Sequence, residues 1–337
     1  MLFDGLIPAI DMFCGLGGWT TAAARTRAID VRVAVNHDPD AILWHEAAHP
    51  GTHHLLQDCA EVDFHTLRDD LAGGLLIASP CCQGFSEAGQ PARRGTGGNG
   101  RVNISELMQA HKGKRNTSMA IITAADVLEP AAIVVENVEQ FLGWRLFGGW
   151  TAMLETLGYE VRTHVLNAAD YGAAQDRRRA IITASRVGAI DLASTWAGGR
   201  QGASIGACLD PDDSPEHRWF PINGKPQRTQ ARIRDEQRKA SQQRGILNNV
   251  SESRLRPLTD LSPTLTTQSG TQLMLVDTDR VRILNPRELA RVQGWRDSEC
   301  PLPKQRGKAS TLIGNAIPVD LAHGVLEQVL ATTLEAS

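Results

Sequence analysis

No run of apolar residues in the 337-residue chain approaches the ~20 residues that a membrane-spanning helix needs. The first residues, Met1 to Gly5, lack the basic stretch and the apolar segment of a secretion signal. Only six cysteines occur, two of them adjacent, which is not the pattern of a disulfide framework. We therefore expect a cytoplasmic protein without a membrane partner, whose cysteines are free thiols or catalysts.

An excess of charge of one sign is also lacking. The 35 lysines and arginines nearly balance the 38 aspartates and glutamates, and the formal net charge is -3. The whole chain therefore gives no electrostatic reason to expect a nucleic-acid partner, and any such reason must come from a local patch. Hydrophobic residues make up 42% of the chain, which is typical of a globular protein, and its length predicts about two domains.

Apolar runs alternate with helical stretches in the first part of the chain. Residues 9–13 read as a buried strand, 14–18 as a glycine turn and 19–27 as a helix. A second strand at 31–35 precedes another helix, and further strands are predicted at 75–78, 132–135 and 179–183. This alternation predicts a doubly wound α/β sheet with ligands bound at the carboxyl ends of its strands.

From about residue 195 to 263 the alternation gives way to Gly, Pro, Gln, Arg and Ser, which predicts a second, smaller domain. Within it, Lys225 to Arg244 is strongly basic and is either a phosphate-binding surface or a solvated helix face. The glycine-rich stretch 89–100 is typical of an active-site lid.

Several polar residues follow the predicted strands, and each has two interpretations. The glycines at 15, 17 and 18 either admit an anionic ligand or only pack a helix on the sheet. Asp58 is a surface acid or an acceptor for the amino group of adenine. The Cys81-Cys82 pair holds a thiolate nucleophile or an inert buried cysteine.

The later strands end in the same way. Glu136 caps a helix or donates a proton, and Arg177 and Arg179, on one face of an extended segment, bind substrate oxygens or lie on the surface. The four histidines at 45, 49, 53 and 54 are interpreted as surface or capping residues. We expect no metal there, because Pro50-Gly51 ends the helix and no cysteine or carboxylate lies at zinc-like spacing.

Taken in order, these segments resemble the DNA (cytosine-5) methyltransferases from Ala9 to about Val329. The matching segments are DMFCGLGG at 11–18, Asp58, CQGFS at 82–86, RNT at 115–117, ENV at 136–138, QDRRR at 175–179, Arg256 with PTLTT at 263–267, PRE at 286–288, QGW at 293–295 and GNAIP at 314–318. Two positions depart from the family pattern: Asn36 stands where an acid usually holds the cofactor ribose, and Cys81 stands where a proline is usual.

The resemblance implies a Rossmann-like, S-adenosylmethionine-dependent methyltransferase domain made of residues 1–187 and 311–337. Residues 188–310 then form a smaller target-recognition domain and hinge. The residues implied to bind the cofactor are Asp11, Phe13, Gly15, Gly17, Gly18, Asn36, Asp58 and Asn315.

The implied reaction moves a methyl group from S-adenosylmethionine to carbon 5 of a flipped-out cytosine in double-stranded DNA. Cys82 adds to carbon 6, Glu136 donates a proton to ring nitrogen 3 and Arg179 holds oxygen 2, while Arg177 orients Glu136 or the backbone nearby. The mobile loop that closes over the base is expected at 87–114. The expected phosphate contacts are Arg228, Arg232, Arg234 and Arg238.

The expected protein is a monomer without a metal, and any cognate restriction endonuclease acts as a separate protein. Three alternatives stay open at this point. They are a transfer-RNA cytosine-5 methyltransferase, a nicotinamide-dependent oxidoreductase and a catalytically silent DNA-binding relative.

Overall fold

A computed structural model describes residues 5–81, 116–198, 203–215, 217–248 and 254–335. The strands in these ranges are β1 (Ile7–Met12), β2 (Ile29–Asn36), β3 (His53–Leu56), β4 (Leu75–Ala78), β5 (Ala132–Asn137), β6 (Glu160–Asn167), β7 (Arg178–Ser185), β8 (Phe220–Pro221), β9 (Arg244–Asn248), β10 (Leu273–Asp277) and β11 (Arg280–Ile283). The α-helices are α1 (Gly18–Thr26), α2 (Pro39–Ala48), α3 (Arg68–Leu71), α4 (Met119–Leu128), α5 (Phe147–Thr156), α6 (Gln227–Ala240), α7 (Ser269–Gln272), α8 (Pro286–Val292), α9 (Arg306–Asn315) and α10 (Val319–Glu335). None of these helices is long and apolar enough to cross a membrane.

A seven-stranded sheet forms the larger part of the fold, in the order β3-β2-β1-β4-β5-β7-β6. The first five strands in this order are parallel, and β7 runs antiparallel to both of its neighbours. Strands β4 and β5 are buried along their whole length because helices cover both faces of the sheet. The predicted doubly wound α/β fold is confirmed, and the carboxyl ends of β1, β4 and β5 lie side by side.

The C-terminal helix returns to the first helix. Helix α10 packs along α1, and the turn before it lies so close to Gly18 that an added Cβ would be 2.6 Å from the carbonyl oxygen of Ile317. Only glycine leaves room for this approach. The chain therefore brings residues 315–318 back to the turn that follows β1.

A second, antiparallel sheet has the order β8-β11-β10-β9. It has a small apolar core of its own, which includes Ile222, Ile233 and Leu247, with Ile233 contributed by α6. Residues of α8 and Trp295 belong instead to the core under the large sheet. Both sheets agree with a two-part chain, and the domain limits at 187/188 and 310/311 stay predictions.

Candidate active site

The turn after β1 has an unusual backbone. Phe13, Gly15 and Gly17 have positive φ angles of 62°, 55° and 90°. A Cβ added to Gly17 would lie 3.0 Å from the rings of both His45 and His49. The turn is therefore held between these two rings on one side and the segment around Ile317 on the other, and it leads directly into the amide groups at the start of α1.

Asp11 is fully buried beneath this turn. The hydroxyl of Thr20 donates to its Oδ2 at 2.8 Å, and Nε2 of His45 lies 3.1 Å from the same hydroxyl. Nδ1 of His45 lies 2.8 Å from Nε2 of His54. A chain of hydrogen bonds thus runs from Asp11 to β3, and Asp11 serves to fix α1 and α2 relative to β1.

The interpretation of the four histidines as surface or capping residues is wrong for His45, which is fully buried. His49 does cap α2, since its backbone N–H donates to the carbonyl of His45. Burial, together with the neighbouring His45 and His54, lowers the pKa of His49 to about 3. Burial also lowers the pKa of His54. The rings of His49 and His54 therefore stay uncharged at neutral pH.

Two other residues expected to bind the cofactor end neighbouring strands. Asn36 closes β2, and its backbone carbonyl accepts a hydrogen bond at 3.1 Å from Gln57, the residue before Asp58. The carboxylate of Asp58 is exposed and caps a short 3-10 helix by accepting from the Ala60 amide. Phe13 is half-buried, and Asn315 is exposed at the end of α9.

Cys82 and the expected closing loop 87–114 lie outside the described residues. The residues that lead to Cys82 are described as far as Cys81, whose thiol is free and half-buried. The amide of Asn137 donates to the carbonyl of Pro80 at 3.0 Å, and the indole of Trp19 donates to the hydroxyl of Ser79 at 3.0 Å. The segment entering Cys82 is thus held from β5 and from α1.

Glu136 and Arg179 form a buried ion pair next to this segment. Their strands are adjacent, and Nε of Arg179 lies 2.9 Å from Oε1 of Glu136. The side chain of Arg179 is 12% exposed and that of Glu136 is 9% exposed, so most solvent is excluded from the pair. Such a pair can hold a carboxyl group and a guanidinium group in fixed positions on one substrate.

Arg177 has different partners from Arg179. Its guanidinium donates to the carbonyl oxygens of Leu265 at 2.6 Å, Gly314 at 3.0 Å and Ala316 at 3.2 Å. Arg177 is expected to orient either Glu136 or nearby backbone, and the contacts are to backbone. Arg177 therefore joins two distant segments of the chain through their backbone.

Gln175 makes a similar connection from the same segment. Its side chain accepts a hydrogen bond from the Leu265 amide and donates to Gln293 and to the carbonyl of Val292. Gln293 in turn donates to the carbonyl of Ile313 at 2.7 Å. The matched motifs near the C-terminus are thereby bound to the segment that leads into β7.

The four arginines expected to contact DNA all lie on helix α6. Arg228 and Arg238 are exposed, and Arg238 pairs with the neighbouring Asp235 on the surface. Arg232 donates to the carbonyl of Asn248, and Arg234 donates to the carbonyl of Thr278. Arg232 and Arg234 therefore already stabilise the small domain, while Arg228 and Arg238 are directed to solvent.

The described ranges contain one group of three potential metal ligands, Asp210, His217 and Glu288. Both carboxylates are already engaged by cations. Arg282 makes two hydrogen bonds to Glu288 at 2.6 and 2.7 Å, and Arg291 donates to Asp210 at 2.6 Å. These guanidinium groups supply the positive charge that a metal would otherwise bring.

Trp19 and Ser79 are functional candidates that the sequence does not reveal. Trp19 reads as a core residue at the start of a helix, and Ser79 as a small residue after a strand. Their contact spans 60 positions, and no local pattern encodes it.

Comparison with known proteins identifies the family of the chain. The family model described as C-5 cytosine-specific DNA methylase matches residues 7–202 and 210–331. The Type II methyltransferase M.NlaX of Neisseria lactamica is 26% identical over 331 residues, which cover 96% of each chain. The Type II methylase M.HgiDII of Herpetosiphon aurantiacus is 27% identical over 189 residues, but the match covers 54% of this chain and 48% of that protein.

Among solved structures, the S. pombe Dnmt2 methyltransferase superposes with a TM-score of 0.65 at 16% identity, over 97% of this chain and 99% of that one. At this identity the likeness shows the fold alone.

Proposed function

The chain belongs to the C-5 cytosine-specific DNA methylase family, a DNA (cytosine-5) methyltransferase, and we propose from this premise that it acts on a flipped-out cytosine of double-stranded DNA through a covalent bond to Cys82. The observation that carries the proposal is the buried Glu136–Arg179 pair, set beside the segment that enters Cys82. A nicotinamide-dependent oxidoreductase would leave this pair without a role, and family membership rules that alternative out.

Carbon 5 of cytosine is a poor nucleophile, so the ring must be activated first. The thiolate of Cys82 forms a bond to carbon 6, and the π electrons of the C5–C6 double bond shift to carbon 5 as Glu136 shares its proton with nitrogen 3. Arg179 holds both the Glu136 carboxyl group and the ring oxygen at position 2. After methylation, a base removes the proton on carbon 5 and the C6–S bond breaks, which returns the thiolate.

S-Adenosylmethionine supplies an electrophilic methyl group when bound. The residues proposed to hold it surround the turn after β1. Positive φ angles at Gly15 and Gly17 shape this turn, and Gly17 and Gly18 let it pack closely against the histidine rings and Ile317. Phe13 would pack on the adenine ring of the bound cofactor, and Asp58 would accept a hydrogen bond from its amino group. Asn36 holds the ribose, Asn315 closes the site from the C-terminal side, and Asp11 supports the turn from below.

A base stacked in a duplex cannot reach Cys82, so the target cytosine must leave the helix, at a cost of a few kcal/mol. Residues 188–310 are proposed to contact the duplex, with Arg228 and Arg238 of α6 on phosphates. The Type II relatives support a cognate endonuclease that acts as a separate protein.

The test is covalent trapping on DNA that carries 5-fluorocytosine at the methylated position. Fluorine cannot leave carbon 5 as a proton does, so the adduct should persist and mass spectrometry should locate the base on Cys82. Cys82→Ala should form no adduct, and Cys81→Ala is the matched control that should still form it. A base attached to Cys81 would overturn the assignment of the nucleophile, and no adduct on DNA that the protein methylates would overturn covalent catalysis.

A further inference from the structure

Trp19 joins the cofactor side of the site to the nucleophile side. It is the second residue of α1, it is 2% exposed, and its indole N–H donates to the Ser79 hydroxyl at 3.0 Å. Ser79 follows β4 directly, and its own N–H donates to the carbonyl of Met12 at the end of β1. One residue at the end of β4 is therefore tied to both β1 and α1.

The start of α1 is fixed as firmly from its other side. Gly17 lies against the rings of His45 and His49, which an added Cβ would meet at 3.0 Å, and Gly18 leaves no room for a Cβ beside the Ile317 carbonyl. Trp19 follows these glycines directly, so its indole can move little relative to the turn. A shift of the turn is therefore passed to Ser79, and Cys82 lies three positions further along the chain.

Packing alone does not require this hydrogen bond. A phenylalanine ring would fill most of the same apolar space, whereas an indole N–H must find an acceptor when it is buried. Here the acceptor is a side-chain hydroxyl at the entry to the nucleophile segment.

We propose that Trp19 and Ser79 are positioning residues, which hold the segment carrying Cys82 in register with the cofactor turn so that the thiolate meets carbon 6 at the right distance. This inference rests on the proposed function of Cys82. Because a misplacement of about 1 Å can slow a reaction by up to 100-fold, loss of one neutral hydrogen bond here should slow adduct formation by about tenfold.

The experiment measures the single-turnover rate of adduct formation on 5-fluorocytosine DNA with saturating S-adenosylmethionine, together with the equilibrium binding of S-adenosylmethionine. Trp19→Phe and Ser79→Ala should each slow the adduct about tenfold and leave cofactor binding within about twofold. The double variant should be no slower than either single variant, because both remove one bond. Ser79→Thr keeps the hydroxyl and should restore the rate.

Trp150→Phe is the matched control. Trp150 is also buried, and its indole donates at 2.9 Å to the carbonyl of Ser118. This variant should lose stability as Trp19→Phe does but keep the adduct rate. If Trp19→Phe does not fold, the Ser79→Ala and Ser79→Thr pair carries the test.

Unchanged adduct rates in Trp19→Phe and Ser79→Ala would overturn the inference while leaving the proposed function intact. Equal slowing in Ser79→Thr and Ser79→Ala, or additive losses in the double variant, would also overturn it. An unmutated protein that methylates DNA without an adduct would instead refute the covalent role of Cys82, and this inference with it.

Discussion

Lowering the pH should destabilise the fold through His49, and the size of the loss follows from its pKa. Burial beside Gly17 and Thr21 lowers the pKa of His49 from 6.5 to about 3. Between pH 6.5 and about pH 3, His49 therefore binds a proton in the unfolded chain but not in the folded chain. This stability is fully present above pH 6.5 and is lost as the pH falls toward 3.

At pH 5 the folded ring is still neutral, while most unfolded chains carry the proton. The free energy of unfolding should therefore fall by about 2 kcal/mol between pH 7.5 and pH 5 because of His49 alone. Urea denaturation at the two pH values measures this fall. The pKa values of His54, His164 and His323 are also lowered by burial, so the wild-type protein should lose more than this amount.

His49→Gln isolates the contribution, because glutamine does not titrate and can still bond to Thr21. Between pH 7.5 and pH 5 the free energy of unfolding should fall in both proteins, and the fall in His49→Gln should be smaller by about 2 kcal/mol. His53→Gln, at an exposed position on β3, is the control and should keep the wild-type dependence. Equal pH losses in His49→Gln and the wild-type protein would show that the ring is not held neutral in the fold.

The remaining predictions concern catalysis, binding and stability. Glu136→Gln keeps the shape but removes the proton donor, so the methylation rate should fall by at least about 100-fold with cofactor binding retained; a near-normal rate would contradict its role. Asp58→Ala should weaken S-adenosylmethionine binding more than it slows single-turnover methylation, and unchanged binding in equilibrium dialysis would remove Asp58 from the site. Neutralising Arg228 and Arg238 together should reduce the slope of log affinity for DNA against log salt by about 2, whereas an unchanged slope would mean a solvated face. Glu288→Ala leaves the buried guanidinium group of Arg282 without its carboxylate partner, so urea denaturation should show a loss of about 3–5 kcal/mol in the free energy of unfolding. A loss below about 1 kcal/mol would contradict the importance of the Arg282–Glu288 pair.

The strands that carry the site could be predicted because burial on both faces leaves a continuous apolar run. β4 and β5 are such runs, and the polar residues that end them lie where a doubly wound sheet binds ligands. The antiparallel direction of β7 could not be predicted in this way. A run buried on both faces looks the same in either direction, and only the tertiary fold decides which neighbours it pairs with.

The arginines at 177 and 179 show where the period-two argument ends. Alternation of side chains would place both on one face if residues 177–179 were a single extended segment. Strand β7 begins at Arg178, however, so Arg177 lies just before the strand. Arg179 pairs with Leu166 of β6 in the sheet, and its side chain reaches Glu136 on β5. The direction of Arg177 is set instead by the carbonyl groups of Leu265 and Gly314, which approach from far along the chain. Two identical side chains in one motif thus acquire different partners, a carboxylate for Arg179 and backbone carbonyl groups for Arg177. The spacing of residues in the sequence predicts which side chains share a face of a strand. The groups that the tertiary fold places against each side chain determine what that side chain binds.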